Sequence, residues 1–539
     1  MKNNLITTKT PTLFLMLALF YLVSFGTCKA ETYYVSPLGD NANNGLSPTK
    51  PLKTITSAVD RAWKSGDIIY VMTGTYVETL YIGQNNLTLT AYHNDKPIIN
   101  GGAQLPDREW GALIELAGDY NTISGFELKN SNINGQYPGG YGMDVIGQHN
   151  TISRMNIHHT WEHGILVHGD YNIVEDSTFW QAALHNSSNV DGKITSGWAA
   201  GLSAARDNNN PTALKKNINS YTIFRRNTAY NNWGEGITCY NADHCTMEDN
   251  IAYDNWTVNL YLSDATNSLV QRNLVYVSSA PEIPIQDNHL GILLADEAPD
   301  APRASNNRII NNKIYNADFD AYTWSEEAVI NPGLKNVLIA GNIIIDGGFD
   351  SGGVKEKMVN INTQIKHNYF MGKNNRISDT IGLDFTNNHW ANVPDIASTS
   401  SSSMIPKLLR VGPTTPGDLT ENYFRLYVEY KAPDPIPLKT ERVLPPSDNL
   451  TRISKIKSKD ATQIKVVTSS EQVVIGKNTG NKTESTTRKK ITYRFGGNGK
   501  KNGNGFAMTT FSDVIHAKPI KADNAQNCRA YSNKVCLLK

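Results

Sequence analysis

The sequence lacks most of the motifs that mark common enzyme classes. Its 539 residues hold no phosphate-binding loop, no dinucleotide fingerprint and no Gly-x-Ser-x-Gly elbow. Cysteine is scarce, at five residues, and none has partners at zinc-ligand spacing. Charge of one sign is also missing overall, with 51 Lys+Arg against 50 Asp+Glu. A mean hydropathy of −0.40 excludes a polytopic membrane protein. The one long apolar run, Leu13 to Val23, is too short to span a bilayer.

What is present begins with that run. Lys2 and Lys9 precede it and the small-residue stretch Gly26–Ala30 follows, so residues 1–30 read as a secretory signal peptide cut after Ala30. A lipoprotein signal ending at Cys28 fits less well, because Phe25-Gly26-Thr27 precedes it. The expectation is a secreted or periplasmic protein with no transmembrane segment. Cleavage would leave Cys239, Cys245, Cys528 and Cys536, enough for two local disulfides. Cys528–Cys536 is the favoured pair, because the tail around it has no obvious core. The neutral balance also hides a split. Residues 31–450 carry 30 basic and 45 acidic residues, whereas residues 451–539 carry 18 and 5.

Internal repetition dominates the middle of the chain. Asn227, Asn250 and Asn273 recur every 23 residues within RRNTAY, EDNIAY and QRNLVY, and Tyr230, Tyr253 and Tyr276 share the period. The frame extends back to ISRMNI at 152–157 and forward to HNYF at 367–370. Each unit holds short apolar alternations broken by Asn, Gly and Asp, and none holds a helix-length periodic stretch. Short strands at this period predict an all-β fold, a right-handed parallel β-helix over 31–395. The residue before the Asn column alternates in sign (Arg154, Asp176, Arg226, Asp249, Arg272), as stacked neighbours require. A short helix with Ile55, Ala58, Val59 and Ala62 on one face would cap the first turn. After 395 come a Ser/Pro-rich linker (396–450) and a basic tail or small β-module (451–539).

Residues 33–82, YYVSPLGDNANNGLSPTKPLKTITSAVDRAWKSGDIIYVMTGTYVETLYI, resemble the opening of secreted right-handed parallel β-helix proteins. These include pectate-lyase-like polysaccharide lyases of family nine. The resemblance implies β-elimination on a uronic-acid polymer, with calcium acidifying the C5 proton and a Lys removing it. No Asp-Asp pair occurs here, so the family's calcium residues are not carried over. Calcium is still an expected cofactor, with Asp170, Asp207, Asp243 and Asp264 at strand exits as oxygen donors.

Strands beginning at Gly142, Gly164, Gly201, Gly236 and Asn259 align as one sheet, with inserts at about 181–197 and 208–219. Alternation places Leu166, His168, Thr238 and Tyr240 outward. His168, Tyr240, Arg206 and Lys193 are the candidate catalytic residues, beside Glu235 and His163 at the groove edge. Tyr or His would act as base, and Arg or Lys would meet a carboxylate. The pattern Trp-x-x-[Gly/Asn]-[Ile/Leu] recurs at Trp161, Trp198, Trp233 and Trp256, which predicts either a core ladder or a sugar platform. The partner expected is an anionic polysaccharide, not a nucleic acid, bound by a monomer. A polysaccharide lyase is favoured, and a non-catalytic glycan binder, a C5-epimerase or a glycosidase on the same fold are the alternatives.

Overall fold

The computed structural model describes residues 29–396 except 103, 188–198, 206–217, 286–289, 297–303, 324–332, 354–359, 373–374, 378–381 and 392–393, together with the backbone of the strands between 463 and 538. From Thr32 to Ile396 the chain winds through three parallel sheets of 13, 12 and 12 strands. Each full turn contributes a strand to sheets A, B and C in that order, for example Thr246–Glu248, Ile251–Tyr253 and Leu260–Ser263. Most strands have only three or four residues, because Asn or an αL residue interrupts the alternation at each corner.

One contiguous core runs inside the coil. Inward columns such as Phe224, Met247, Val270, Ile309 and Ile339 in sheet A pair in register from turn to turn. Ile237, Leu260, Ile292, Phe319 and Phe349 do the same in sheet C. All of these side chains are buried. The strand alignment expected from Gly142, Gly164, Gly201, Gly236 and Asn259 is the observed register of sheet C. A Cβ at Gly164 would lie 2.3 Å from the Gly201 carbonyl oxygen, so the turns stack too closely there for any side chain.

The A–B corner explains the 23-residue signal. Asn227, Asn250, Asn273, Asn312, Asn342, Asn368 and Asn388 are buried in a single column. Each Oδ1 after the first accepts the backbone N–H and the Nδ2 of the preceding Asn, as at Asn250–Asn273 (2.9 and 3.0 Å). The second Nδ2 hydrogen goes to a backbone carbonyl, Phe224 in the case of Asn250 (2.9 Å). Every amide is thereby satisfied inside the core, which buried polar groups require.

The alternating charges sit just outside, all with φ between 51° and 55°. Arg226 reaches back to Asp176 and Arg272 to Asp249, both at 2.8 Å. Arg154 departs from the expectation and binds Ser124 Oγ (2.8 Å). At the open end, Ile55–Val59 forms the capping helix, with Ile55, Ala58, Val59 and Ala62 buried as its apolar face predicts. Thr54 caps it by accepting the Ser57 N–H, and the Glu78 carboxylate accepts the N–H groups of Ile55 and Thr56 (2.9 Å each).

Cys239 and Cys245 are joined by a disulfide across the C–A corner, with Cα atoms 6.6 Å apart. In the tail, six strands pair antiparallel. Their backbone register sets Cys528 opposite Leu538 and Cys536 opposite Ala530. The linker expected at 396–450 lies outside the described residues, apart from Ile396.

Candidate active site

The outer face of sheet C carries the chemistry-bearing residues in two adjacent columns. One runs Glu115, Asp144, Leu166, Ser203, Thr238, Tyr261, Leu293, Asp320, Asp350, Arg376. In the other, His168 and Tyr240 stand two turns apart with Ala205 between them, since Val167 pairs with Ala204 and Ala205 with Tyr240. Parallel turns repeat at about 4.8 Å, so the His168 and Tyr240 backbones are roughly 10 Å apart across the small side chain of Ala205. His168 Nε2 lies 3.5 Å from Asp144 Oδ1, a contact that orients the imidazole. Lys193, Arg206 and Trp198 lie outside the described residues, as does Asp207.

The face is more enclosed than alternation implied. Leu166 and Thr238, expected to face solvent, are buried, and so is Glu235, which accepts the Thr238 hydroxyl. Leu166 packs with Ala112, Tyr141 and Ala205 on top of the sheet, so an outward direction here does not mean exposure.

Beside this face the B–C corner gathers titratable groups. Burial pushes His163 down to about 3, helped by the neighbouring His168 and His185. Its Nδ1 accepts the Ala200 N–H (3.0 Å), so the neutral ring carries its proton on Nε2. The ring of Tyr141 lies 5.8 Å from that of His163. Burial raises Glu162, against the opposing effect of His185 and of the Gly139 N–H. Tyr141, Asp144 and Glu162 were missed in the sequence because the turn containing Tyr141 is irregular, with a register shift between Gly139 and Tyr141.

Three of the four Trp of the motif lie among the described residues, and they differ in burial. Trp256 is buried, whereas Trp161 and Trp233 are half-buried. Trp161 meets His185 edge-on (6.3 Å), and Trp233 Nε1 donates to Gln181 Oε1 (3.1 Å). Among the described residues no two Trp rings touch. Stacking belongs to other columns. Tyr120, His149, Tyr171, Tyr221 and His244 stack at 4.5–4.7 Å along the C–A corner. Tyr230, Tyr253 and Tyr276 stack at 5.0 and 4.6 Å on sheet B.

A second feature lies farther along the same sheet. Asp320 and Asp350 are direct neighbours on adjacent strands, and Asp318 is close by. Burial, then Asp350, then Asp318 push the Asp320 carboxyl well above the usual range. Asp350 is also raised by burial, with Arg376 opposing. The pair was legible as the repeated Phe-Asp at 319–320 and 349–350, 30 residues apart like Asn312 and Asn342.

The three expected calcium donors among the described residues are engaged within the fold. Asp170 accepts the Ser220 N–H, Asp243 binds Thr266, Asn267 and His244, and Asp264 is fully buried beside Ser263. Among the described residues no three His, Cys, Asp or Glu side chains converge as metal ligands. Among the described residues, Asp170, Asp243 and Asp264 do not come together as a calcium site.

Comparison with known proteins bears on the same region. Residues 33–269 match the family described as a Pel9A-like right-handed β-helix region, and residues 183–403 match that of the periplasmic copper-binding protein NosD. Pectate lyase L of Dickeya dadantii (strain 3937) and that of Dickeya chrysanthemi are each 30% identical over 169 residues. Those matches cover 28% of this chain and 37% of each relative. Among solved structures, pectate lyase Pel9A aligns at 17% identity with a TM-score of 0.36, over 70% of this chain and 84% of that one. PfbA, a surface adhesin of Streptococcus pneumoniae, aligns at 11% identity with a TM-score of 0.50, over 67% and 90%. At these identities the solved structures speak to the fold alone.

Proposed function

We propose that this right-handed parallel β-helix, with its Pel9A-like region, is an exported enzyme cleaving a uronate-containing glycan by β-elimination. The observation that carries the reading is the His168–Ala205–Tyr240 column on the face of sheet C, within the stretch that matches the Pel9A-like region. A uronate ring seated over Ala205 would have His168 on one side and Tyr240 on the other. His168, oriented by Asp144, takes the C5 proton. The electron pair left at C5 forms the C4=C5 double bond, the C4–O bond breaks, and the departing oxygen takes a proton from Tyr240. Arg206, next in sequence to Ala205, and Lys193 are the cations proposed to meet the substrate carboxylate and offset the charge that develops on it. Trp161, Trp233 and His163 are the proposed substrate contacts beside it, with the buried Glu235 supporting the face from beneath through Thr238. Export to the periplasm or medium agrees with the relatives named above and with the leader-like first thirty residues.

His168→Gln and Tyr240→Phe should each lower formation of unsaturated uronate by at least about 100-fold, the usual worth of a positioned acid or base. Unchanged turnover in both would remove this site.

A second reading rests on Asp320 and Asp350. Carboxylates on adjacent turns, about 4.8 Å apart at the backbone, fall near the roughly 5–5.5 Å separation of retaining glycosidases. Burial, Asp350 and Asp318 all favour the protonated form of Asp320, the form a general acid needs. On this reading Asp320→Asn abolishes release of reducing ends, no unsaturated product forms, and His168→Gln has little effect.

A further inference from the structure

A buried carboxylate that pairs with no side-chain cation among the described residues stands just before the second strand, Ile68–Val71, beside the start of the first. Asp67 is fully buried, and both of its oxygens accept backbone N–H groups, Oδ1 from Glu31 (2.7 Å) and Oδ2 from Lys64 (2.9 Å). Among the described residues no side-chain cation pairs with it. Lys64 Nζ pairs with Glu31 Oε1 (2.8 Å), and the Arg61 guanidinium binds the carbonyls of Asn41 and Asn43. A buried carboxylate without a cation is costly. Its closest partner, Glu31 N, is also the atom that follows Ala30, and Ala30 is exposed.

We propose that proteolytic removal of residues 1–30 supplies the missing cation: the new α-ammonium of Glu31 seats on Asp67 and locks the first turn of the β-helix. Water and a leader peptidase cleave the Ala30–Glu31 amide. The C–N bond breaks, hydroxyl adds to the Ala30 carbonyl carbon, and nitrogen gains hydrogen. Near neutral pH the amine takes a further proton from solvent and the new carboxyl releases one. Cleavage precedes folding, because Glu31 is then committed to the sheet: its carbonyl accepts the Ile68 N–H (2.9 Å) and its carboxylate holds Tyr33 and Lys64. The ammonium thus replaces an amide hydrogen bond with a charge-assisted one, in the place where the unpaired end of the solenoid is most easily frayed.

The groups facing the new ammonium are Asp67, the Glu31 carboxylate, Lys64, Tyr33 and Arg61. The buried carboxylate raises the ammonium's folded-state pKa above the roughly 7.7–8.0 of an unfolded N-terminus. Its stabilisation is therefore fully present below pH ~8 and is lost as pH rises through the folded value.

The test uses the exported, processed protein. Mass spectrometry of its N-terminus should read Glu31. Thermal unfolding is then compared for four full-length mature forms: starting at Glu31 or retaining Ala30, each with Asp67 or Asp67→Asn. The proposal expects a larger fall in midpoint from Asp67→Asn in the Glu31 form, with the excess shrinking as pH rises beyond ~8. Equal falls in both forms, or a terminus other than Glu31, would overturn it. Should Asp67→Asn fail to fold, acylation of the native N-terminal amine decides the matter. At pH 8 it should proceed at least tenfold more slowly in the Glu31 form than in the form with Ala30, and equal rates sink the idea.

Discussion

At the scale of single residues, the Asn column and the charge column beside it make unequal contributions. Asn250 accepts two hydrogen bonds from Asn227 and donates to Phe224 and Asn273, all inside the core. Asn250→Ala leaves buried donors and acceptors in the turns on both sides, each worth about 1–3 kcal/mol, so a loss of about 3 kcal/mol or more is expected in urea denaturation. Asp249→Ala removes a half-exposed partner of Arg272 and should cost no more than about 1 kcal/mol. Both columns were readable in the sequence, because stacking places identical chemistry at a fixed period. The Trp motif was equally periodic, yet Trp161, Trp233 and Trp256 differ in burial and partners. A repeat fixes where a Cα sits, while the local corner decides where a long side chain goes, as Trp161 and Trp256 show.

At the scale of the element, the face of sheet C combines aligned strands with enclosed polar groups. The strand starts from Gly142 to Asn259 followed from spacing alone. The burial of Leu166, Thr238 and Glu235 did not, because alternation reports direction and says nothing about what covers a face. Asp320 escaped notice because the Phe-Asp repeat recurs after 30 residues and so falls outside the 23-residue frame set by Asn227, Asn250 and Asn273. The pair has a consequence for stability. A carboxyl whose folded pKa is raised favours the protonated fold, so its contribution is lost as pH rises through that value. Asp320→Asn should therefore raise the unfolding midpoint by a few degrees at pH 8, and the gain should shrink toward pH 4. Glu127 behaves oppositely. His158, then Lys129, lower it to about 2 against the cost of burial, so its contribution is present at neutral pH and fades as pH falls toward that value. Glu127→Gln should accordingly narrow the stability difference between pH 7 and pH 3, as calorimetry across that range would register.

For the whole molecule, a rigid solenoid holds one face of sheet C against the B–C corner, and the matched Pel9A-like region covers the turns where His168 and Tyr240 stand. The central claim is that this face carries out elimination on a uronate polymer. The most direct measurement is ultraviolet absorbance of the processed protein mixed in turn with polyuronates and sulfated glycans, each with calcium and with a chelator. A rising signal from an unsaturated uronate with at least one polyuronate, lost in His168→Gln, is the predicted result. Silence across the panel while reducing ends are released, or while a glycan is bound intact, would contradict it and leave the β-helix as a hydrolase scaffold or a binding surface.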